Sequence, residues 1–206
     1  MPQGQLFVIS APSGAGKTSL VAAAIERVSE LAVSVSHTTR SPRPSEVDGR
    51  DYHFIDQSEF DMLITSKAFF EYAQVFGNFY GTSKQAIESQ LASGLDVILE
   101  IDWQGALQLR MKAPDTVSIF ILPPTRDALR ERLIDRQQDN PTIIDLRMAE
   151  ADETLKQAPH FDYWVINDDF EIALGQLKSI VISHRQRRPQ IQAKHPNFLE
   201  KLLGHQ

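Results

Sequence analysis

The sequence predicts an α/β fold, a mainly parallel sheet flanked by helices, and three observations predict it. Four short apolar runs, Leu6-Phe7-Val8-Ile9, Val97-Ile98-Leu99, Ile119-Phe120-Ile121-Leu122 and Trp164-Val165-Ile166, are near-continuous instead of alternating, as in strands buried on both faces. Each is followed by a helical pattern, and strands alternating with helices argue for a parallel sheet with helical crossovers. The length, 206 residues of which 42% are hydrophobic, suits one core carrying small insertions.

Taken in order, residues 6–9 run into a turn rich in Pro and Gly, and residues 18–28 follow as a helix with a small-residue face. From residue 33 to residue 80 the texture changes. Ser and Thr cluster, Arg-Ser-Pro-Arg-Pro interrupts the chain, and aromatics gather over residues 68–80, which marks an inserted subdomain. Within it Gly77-Asn78 predicts a hairpin turn, since both residues tolerate positive φ, and Ser58 and Ser83 are the expected N-caps of short helices on either side. After the strands at residues 97–102 and 119–122, Pro123-Pro124 opens a second polar insertion, residues 125–147, rich in arginine and containing the turn Asp139-Asn140-Pro141. Residues 170–188 predict a long amphipathic helix that Pro189 stops. In the tail, Phe198 and Leu202 can pack on the core or at a contact between copies of a homo-oligomer.

Composition excludes several classes. A formal net charge of -6 gives no bulk attraction to nucleic acid or an anionic membrane, so any anion site has to be local. Cysteine is absent, which removes disulfides and thiolate metal sites. No basic region precedes an apolar stretch at the N-terminus, and no run approaches the ~18 apolar residues a membrane span needs, so a cytoplasmic protein is expected.

The first turn carries chemistry. Ser10-Ala11-Pro12-Ser13-Gly14-Ala15-Gly16-Lys17-Thr18 matches G-x-x-x-x-G-K-[ST] except that Ala11 takes the first glycine position. A strand enters and a helix leaves, so backbone N–H groups and a positive helix end converge where a phosphate would sit. Gly14 and Gly16 allow close backbone approach, Lys17 supplies charge to the β- and γ-phosphates, and Thr18 can ligate Mg²⁺, with Ser19 next in the ATP-binding stretch. Alanine at position 11 is excluded only if that position needs positive φ. Glu100 and Asp102 share one face near the C-terminal end of the strand that starts at Val97, where α/β sheets place ligands. They suit a hydrated Mg²⁺ or a donor on the acceptor, and equally the cap of a helix starting near Gln104.

Arginines supply the remaining charge. Ser36-His37-Thr38-Thr39-Arg40-Ser41-Pro42-Arg43-Pro44 places two guanidinium forks on a stretch stiffened by proline; it reads either as a preorganised phosphate site or as a solvated loop. The second insertion provides Arg126, Arg130, Arg132, Arg136 and Arg147. Arg132 and Arg136 lie four apart on an expected helix and repel unless an anion joins them; Asp127, Glu131 and Asp135 could instead balance them on a plain charged surface. With the phosphate turn present, positioning of arginines around a transferring phosphoryl group becomes the better account.

Together with the Ala11 to Lys17 turn and the Ser36 to Pro44 segment, Gly49-Arg50-Asp51-Tyr52, Gly77-Asn78-Phe79-Tyr80-Gly81-Thr82, Ile101-Asp102-Trp103-Gln104-Gly105 and Val165-Ile166-Asn167-Asp168-Asp169 give a chain that closely resembles bacterial guanylate kinases over residues 4–188. The resemblance implies a P-loop nucleoside-monophosphate kinase fold and transfer of the γ-phosphoryl group of ATP to GMP, and to dGMP as well, with Mg²⁺. It implies a core of residues 1–32, 84–124 and 148–190, a GMP-binding subdomain at 33–83, a mobile lid at 125–147 and a tail at 191–206. Carried over by position, Ser36, Arg40, Arg43, Tyr52 and Tyr80 would hold the GMP phosphate, and Glu71 and Thr82 would read guanine with Asp102 nearby. Lys17, Arg132, Arg136 and Arg147 would be catalytic, Asn167 would lie near adenine, and Glu100 would reach the metal through water. Two departures stand out: the lid has Asp135-Arg136-Gln137 where the family commonly has Gly-Arg-Gly, and Glu100 stands where Asp is usual. Among rivals, a scaffold-type binding module would lack Lys17 and the lid arginines, a kinase for another acceptor would lack the Glu71 and Thr82 pair, and a signalling GTPase would need an Asn-Lys-x-Asp motif, which is absent.

Overall fold

The computed structural model describes residues 4–75, 77–135 and 141–204. Strand β1 (Leu6–Ser10) is buried along its whole length and leads through the glycine turn into α1 (Lys17–Arg27). Next come β2 (Leu31–Val33), β3 (His37–Thr38), β4 (His53–Phe54), α2 (Gln57–Thr65), β5 (Phe69–Val75), β6 (Asn78–Ser83) and α3 (Lys84–Ala92). The chain continues with β7 (Asp96–Glu100), α4 (Trp103–Lys112), β8 (Val117–Leu122), α5 (Arg126–Asp135) and α6 (Pro141–Leu155). It ends with β9 (Tyr163–Ile166), α7 (Phe170–Arg185), α8 (Arg188–Lys194) and α9 (Phe198–Leu202).

Five strands form a parallel sheet in the order β2-β7-β1-β8-β9. Because successive Cβ atoms point to opposite faces, Phe7 and Ile9 pack with α1 and α7, while Leu6 and Val8 pack with α3 and α4. Both faces are dry, which is why β1, β7 and β8 show no polar alternation. A second sheet, β4-β3-β6-β5, is mixed: β3 pairs parallel with β4 and antiparallel with β6, and β5 and β6 form an antiparallel hairpin. A third apolar cluster, Leu129, Leu133, Ile144, Met148 and Ala151, joins α5 to α6.

Several local expectations are corrected. The final parallel strand is an edge: Val165 is buried, but Trp164 and Ile166 are 55% and 53% exposed, because β9 pairs on one side only. Helix α2 is capped by Asp56, whose Oδ1 accepts from the Glu59 N–H at 2.8 Å, so Ser58 lies inside the helix; Ser83 does cap α3. Gly77 takes φ 76°, yet Asn78 is already in β6 and pairs with Val75, so it belongs to the strand instead of the turn. Pro189 does not end a helix. Helix α7 stops at Arg185 and Pro189 sits in the first turn of α8, where its missing N–H costs nothing. Val33 closes β2 within the larger sheet, and α6 runs through residue 147 without a break. In the expected turn near residue 140, Asp139 and Asn140 lie outside the described residues, and Pro141 opens α6. On α9, Phe198 and Leu202 are 54% and 68% exposed, so neither enters the core.

Candidate active site

At the C-terminal end of β1 the chain turns into α1 through two left-handed glycines, Gly14 at φ 94° and Gly16 at φ 91°. Ala11 is not among the described residues with positive φ, so alanine is tolerated there. Gly16 is the N-cap of α1 and has no side chain to satisfy the first helical N–H groups, which leaves them directed into the turn. Pro12 is buried beneath the turn and its carbonyl accepts from the Ala15 N–H at 3.2 Å; Ser19 is exposed on α1.

The cradle is held from behind. Asn167, 5% exposed, donates from Nδ2 to the Ala15 carbonyl at 2.7 Å, and a Cβ on Gly16 would come within 2.3 Å of that nitrogen. A Cβ on Gly14 would meet Leu129 at 3.0 Å and Leu133 at 3.2 Å, so α5 packs directly on the turn. Arg132 donates from Nη2 to the Asn167 carbonyl at 2.9 Å, while its Nη1 is buried with no hydrogen-bond partner. A buried guanidinium nitrogen without an acceptor, beside a phosphate cradle, is in place to donate to an anion.

In front of the cradle lie the acids of β7 and α4. Lys17 donates to the Ile101 carbonyl at 3.3 Å; burial pulls its pKa down, and Glu100, Asp102 and Glu71 push it back up. Thr18 Oγ1 donates to Glu100 Oε2 at 3.1 Å, so two oxygen ligands of the kind a hydrated divalent cation takes stand together beside the phosphate turn. Asp102 caps α4, its Oδ1 accepting from the Gly105 N–H at 3.0 Å, and its Oδ2 is buried without a partner. The cap reading of Asp102 is therefore met by one oxygen of the carboxylate, and the other is left without a partner. Burial raises its pKa.

Opposite stands the second sheet. A bulge between Phe69 and Glu71 shifts the β5–β6 register so that Glu71 faces Thr82. Thr82 Oγ1 donates to Glu71 Oε1 at 2.5 Å, and Ser36 Oγ lies 3.1 Å from Thr82 Oγ1. Glu71 is 2% exposed, and burial pushes its pKa up to about 7 against the pull of Thr82. Beside this chain of hydroxyls, Arg40 sits 5.6 Å from the Tyr52 ring centre, and Tyr52 and Tyr80 are 5.9 Å apart. Burial, with Glu100 nearby, pushes the Tyr52 hydroxyl up to about 12, so it stays a proton donor.

Glu46 is the residue that sequence reasoning missed in this cluster. It accepts from Arg40 Nη2 at 2.8 Å and from the Arg43 N–H at 2.7 Å, with Arg43 Nη1 at 3.8 Å. Burial raises the Glu46 pKa, but the two arginines outweigh it and hold the carboxyl below its usual range. An acid three residues after Arg43 was the available signal.

Between the sheets runs a cleft lined by Ala11 and Ser13 from the cradle, Gln74 and Val75 from β5, Asp102, Trp103 and Gln104 from the start of α4, and Arg147 and Glu150 from α6. Gln74, Trp103 and Glu150 were not anticipated. Arg126 and Arg130 are instead committed to Asp152 and Asp145 of α6, each at 2.8 Å. Arg136 lies outside the described residues. The structure thus gathers Lys17, Thr18, Glu100, Asp102, Glu71, Thr82 and Ser36 in one region, groups Arg40, Arg43, Tyr52 and Tyr80 beside it, and sets Asn167 and Arg132 behind the cradle. Among the described residues no group of three or more His, Cys, Asp or Glu forms a metal centre by itself.

Residues 3–184 match the family model described as guanylate kinase. The chain is 53% identical to the guanylate kinase of Saccharophagus degradans over 203 residues, which is 98% of this chain and 99% of that one. It is 55% identical to the guanylate kinase of Methylococcus capsulatus over 185 residues, 90% and 91% of the two chains. The crystal structure of guanylate kinase from Anaplasma phagocytophilum superposes with a TM-score of 0.77 at 30% identity, covering 98% of this chain and 94% of that one.

Proposed function

We infer that this chain, which belongs to the guanylate kinase family, is an ATP:GMP phosphotransferase, a nucleoside monophosphate kinase that transfers the γ-phosphoryl group of ATP to GMP and yields ADP and GDP. The observation that carries the reading is a phosphate cradle with, near enough for its charge to act on Lys17, a buried carboxylate, Glu71, paired with the Thr82 hydroxyl.

We assign the parts as follows. ATP lays its phosphates in the turn from Ala11 to Thr18, with Lys17 against the β- and γ-oxygens. Guanine offers N1–H and N2–H₂, two adjacent donors that one carboxylate at Glu71 can accept, with Thr82 completing the edge. Adenine has an acceptor at N1 and no amine at C2, so it would leave Glu71 buried and unpaired, a mismatch worth up to ~10⁴-fold in discrimination. Ser36, Arg40, Arg43, Tyr52 and Tyr80 grip the GMP phosphate, with Arg40 and Arg43 preset by Glu46. The residues assigned here address the base and the phosphate of the acceptor, and we propose dGMP as a second acceptor on that ground.

In the transfer, an oxygen of the GMP phosphate attacks the γ-phosphorus and the bond to the β-bridging oxygen of ADP breaks. Lys17, Arg132 and Arg147 neutralise the charge spread over the moving group, with Arg136 as their fourth member. Mg²⁺ would be held by Thr18, with Glu100 reaching it through water, and supplies Lewis-acid neutralisation of the ATP phosphates. Residues 33–83 form the acceptor-binding unit and residues 125–147 the lid, closing on the core of residues 1–32, 84–124 and 148–190. A cytoplasmic setting fits the reading, and among the described residues no helix is long and apolar enough to cross a membrane. ADP release measured with GMP and with AMP tests it: GMP is expected to turn over by orders of magnitude faster, and equal rates would remove the guanine assignment.

A further inference from the structure

Gly105 lies in the first turn of α4, buried, in a helical conformation that any residue can adopt. Helix propensity favours alanine over glycine at such a position. A Cβ there, however, would lie 2.3 Å from Oε2 and 3.1 Å from Cδ of Glu71, well inside any real carbon contact. The space an alanine methyl would take is the space the carboxylate occupies. The same atom would stand 3.3 Å from Asp102 Oδ1, a contact that a shift of a few tenths of an ångström relieves.

Glu71 cannot retreat from this contact by moving its strand. Residues 105, 108 and 112 share one face of α4 by helical spacing. Gln108 Nε2 donates to the Tyr72 carbonyl at 3.0 Å and Lys112 Nζ to the Phe70 carbonyl at 2.6 Å. The backbone on both sides of Glu71 is thus bonded to the helix that carries Gly105. From the other side, Thr82 fixes Oε1 at 2.5 Å. One oxygen is set by β6, the other by the bare backbone of α4, and the start of that helix favours negative charge.

We infer that Gly105 is a positioning residue for base selectivity: with Gln108 and Lys112 it makes a face of α4 that seats the Glu71 carboxylate, and its missing methyl sets how that acid presents itself to the acceptor base. The inference rests on the reading of Glu71 as the guanine-binding acid. Four proteins, assayed side by side with GMP and AMP, test it: the native chain, Gly105→Ala, Glu71→Ala and the double variant. A native chain without preference for GMP would overturn the guanine reading itself, whatever Gly105 does. With that preference intact, Gly105→Ala is expected to raise KM for GMP by about 10²-fold, the scale of an ångström-sized misplacement, and to lower the GMP to AMP ratio. KM for ATP and kcat at saturating GMP stay near native, and thermal stability does not fall further than the side-chain crowding requires. Native KM for GMP in Gly105→Ala, or equal losses toward GMP and ATP, would overturn the inference. If Gly105→Ala fails to fold, the double variant must recover the fold, since the crowded carboxylate is gone, and must match Glu71→Ala in KM for GMP. A double variant that stays unfolded, or loses more than Glu71→Ala does, would place the crowding elsewhere and overturn it as well.

Discussion

The phosphate cradle and the Glu71 pocket lie near enough for Glu71 to act on Lys17 but are assembled in opposite ways. The cradle is one continuous stretch, Ala11 to Thr18, running from the end of β1 into the first turn of α1, and its geometry follows from two left-handed glycines and a helix end. The pocket draws Ser36, Glu71, Thr82 and the start of α4 from four separate stretches, joined by a bulge, a hydroxyl chain and a helix face. Binding phosphate needs charge and N–H groups, which local sequence supplies. Choosing a base needs a buried acid at a fixed angle, and only the tertiary structure supplies that.

Substitutions can separate the two halves. The largest effect is expected at the cradle: Lys17→Ala should cut turnover by about 10³-fold with the circular dichroism spectrum unchanged, and retained activity would refute the role given to that ammonium. In the five-stranded sheet that carries the cradle, Ile98→Ala should cost about 2–5 kcal/mol in denaturant unfolding, because Ile98 is 0% exposed between packed layers. Trp164→Ala at the exposed edge should cost far less; similar losses would mean that β9 is buried against something.

The pocket should instead respond to pH. Glu71, pushed up to about 7 by burial, is ionised above that pH in the fold but from about 4.5 upward in the unfolded chain. Its ionisation therefore weakens the fold increasingly between those values, by up to about 3 kcal/mol once complete, and Glu71→Gln should raise the thermal midpoint at pH 8 more than at pH 5. Below pH 7 the protonated acid loses an acceptor, so the GMP to AMP ratio in kcat/KM should fall; the phosphate of both substrates titrates alike and cancels. A flat ratio from pH 8 to pH 6 would contradict the assignment. A smaller effect is expected for Glu46→Gln, which leaves Arg40 and Arg43 less firmly preset: KM for GMP should rise by roughly tenfold with KM for ATP unchanged.

Sequence legibility divides along the same line. Strands β1, β7 and β8, the helix after the turn, and Lys17 and Thr18 were readable because continuous apolar runs and a glycine-rich turn are local signals. Trp164 and Ile166 misled because an edge strand can carry the same residues as a buried one, and position in the sheet is a tertiary fact. Pro189 misled because proline ends one helix and begins another with equal ease. The role of Glu71 rests on the resemblance; by itself it is one acid in a strand, and neither the bulge beside it nor the glycine against it leaves a mark within its own neighbourhood. Asn167, which the resemblance puts near adenine, also donates its amide nitrogen to the Ala15 carbonyl, a contact across 152 positions of sequence that no local pattern announces.

The division of labour between cradle and pocket is tested most directly by the GMP to AMP ratio of kcat/KM in the native chain and in Glu71→Gln, with KM for ATP followed in both. The native ratio is expected near ~10⁴, falling by at least about 10²-fold in Glu71→Gln while KM for ATP stays where it was. A variant that keeps the native ratio would contradict the assignment of base choice to Glu71.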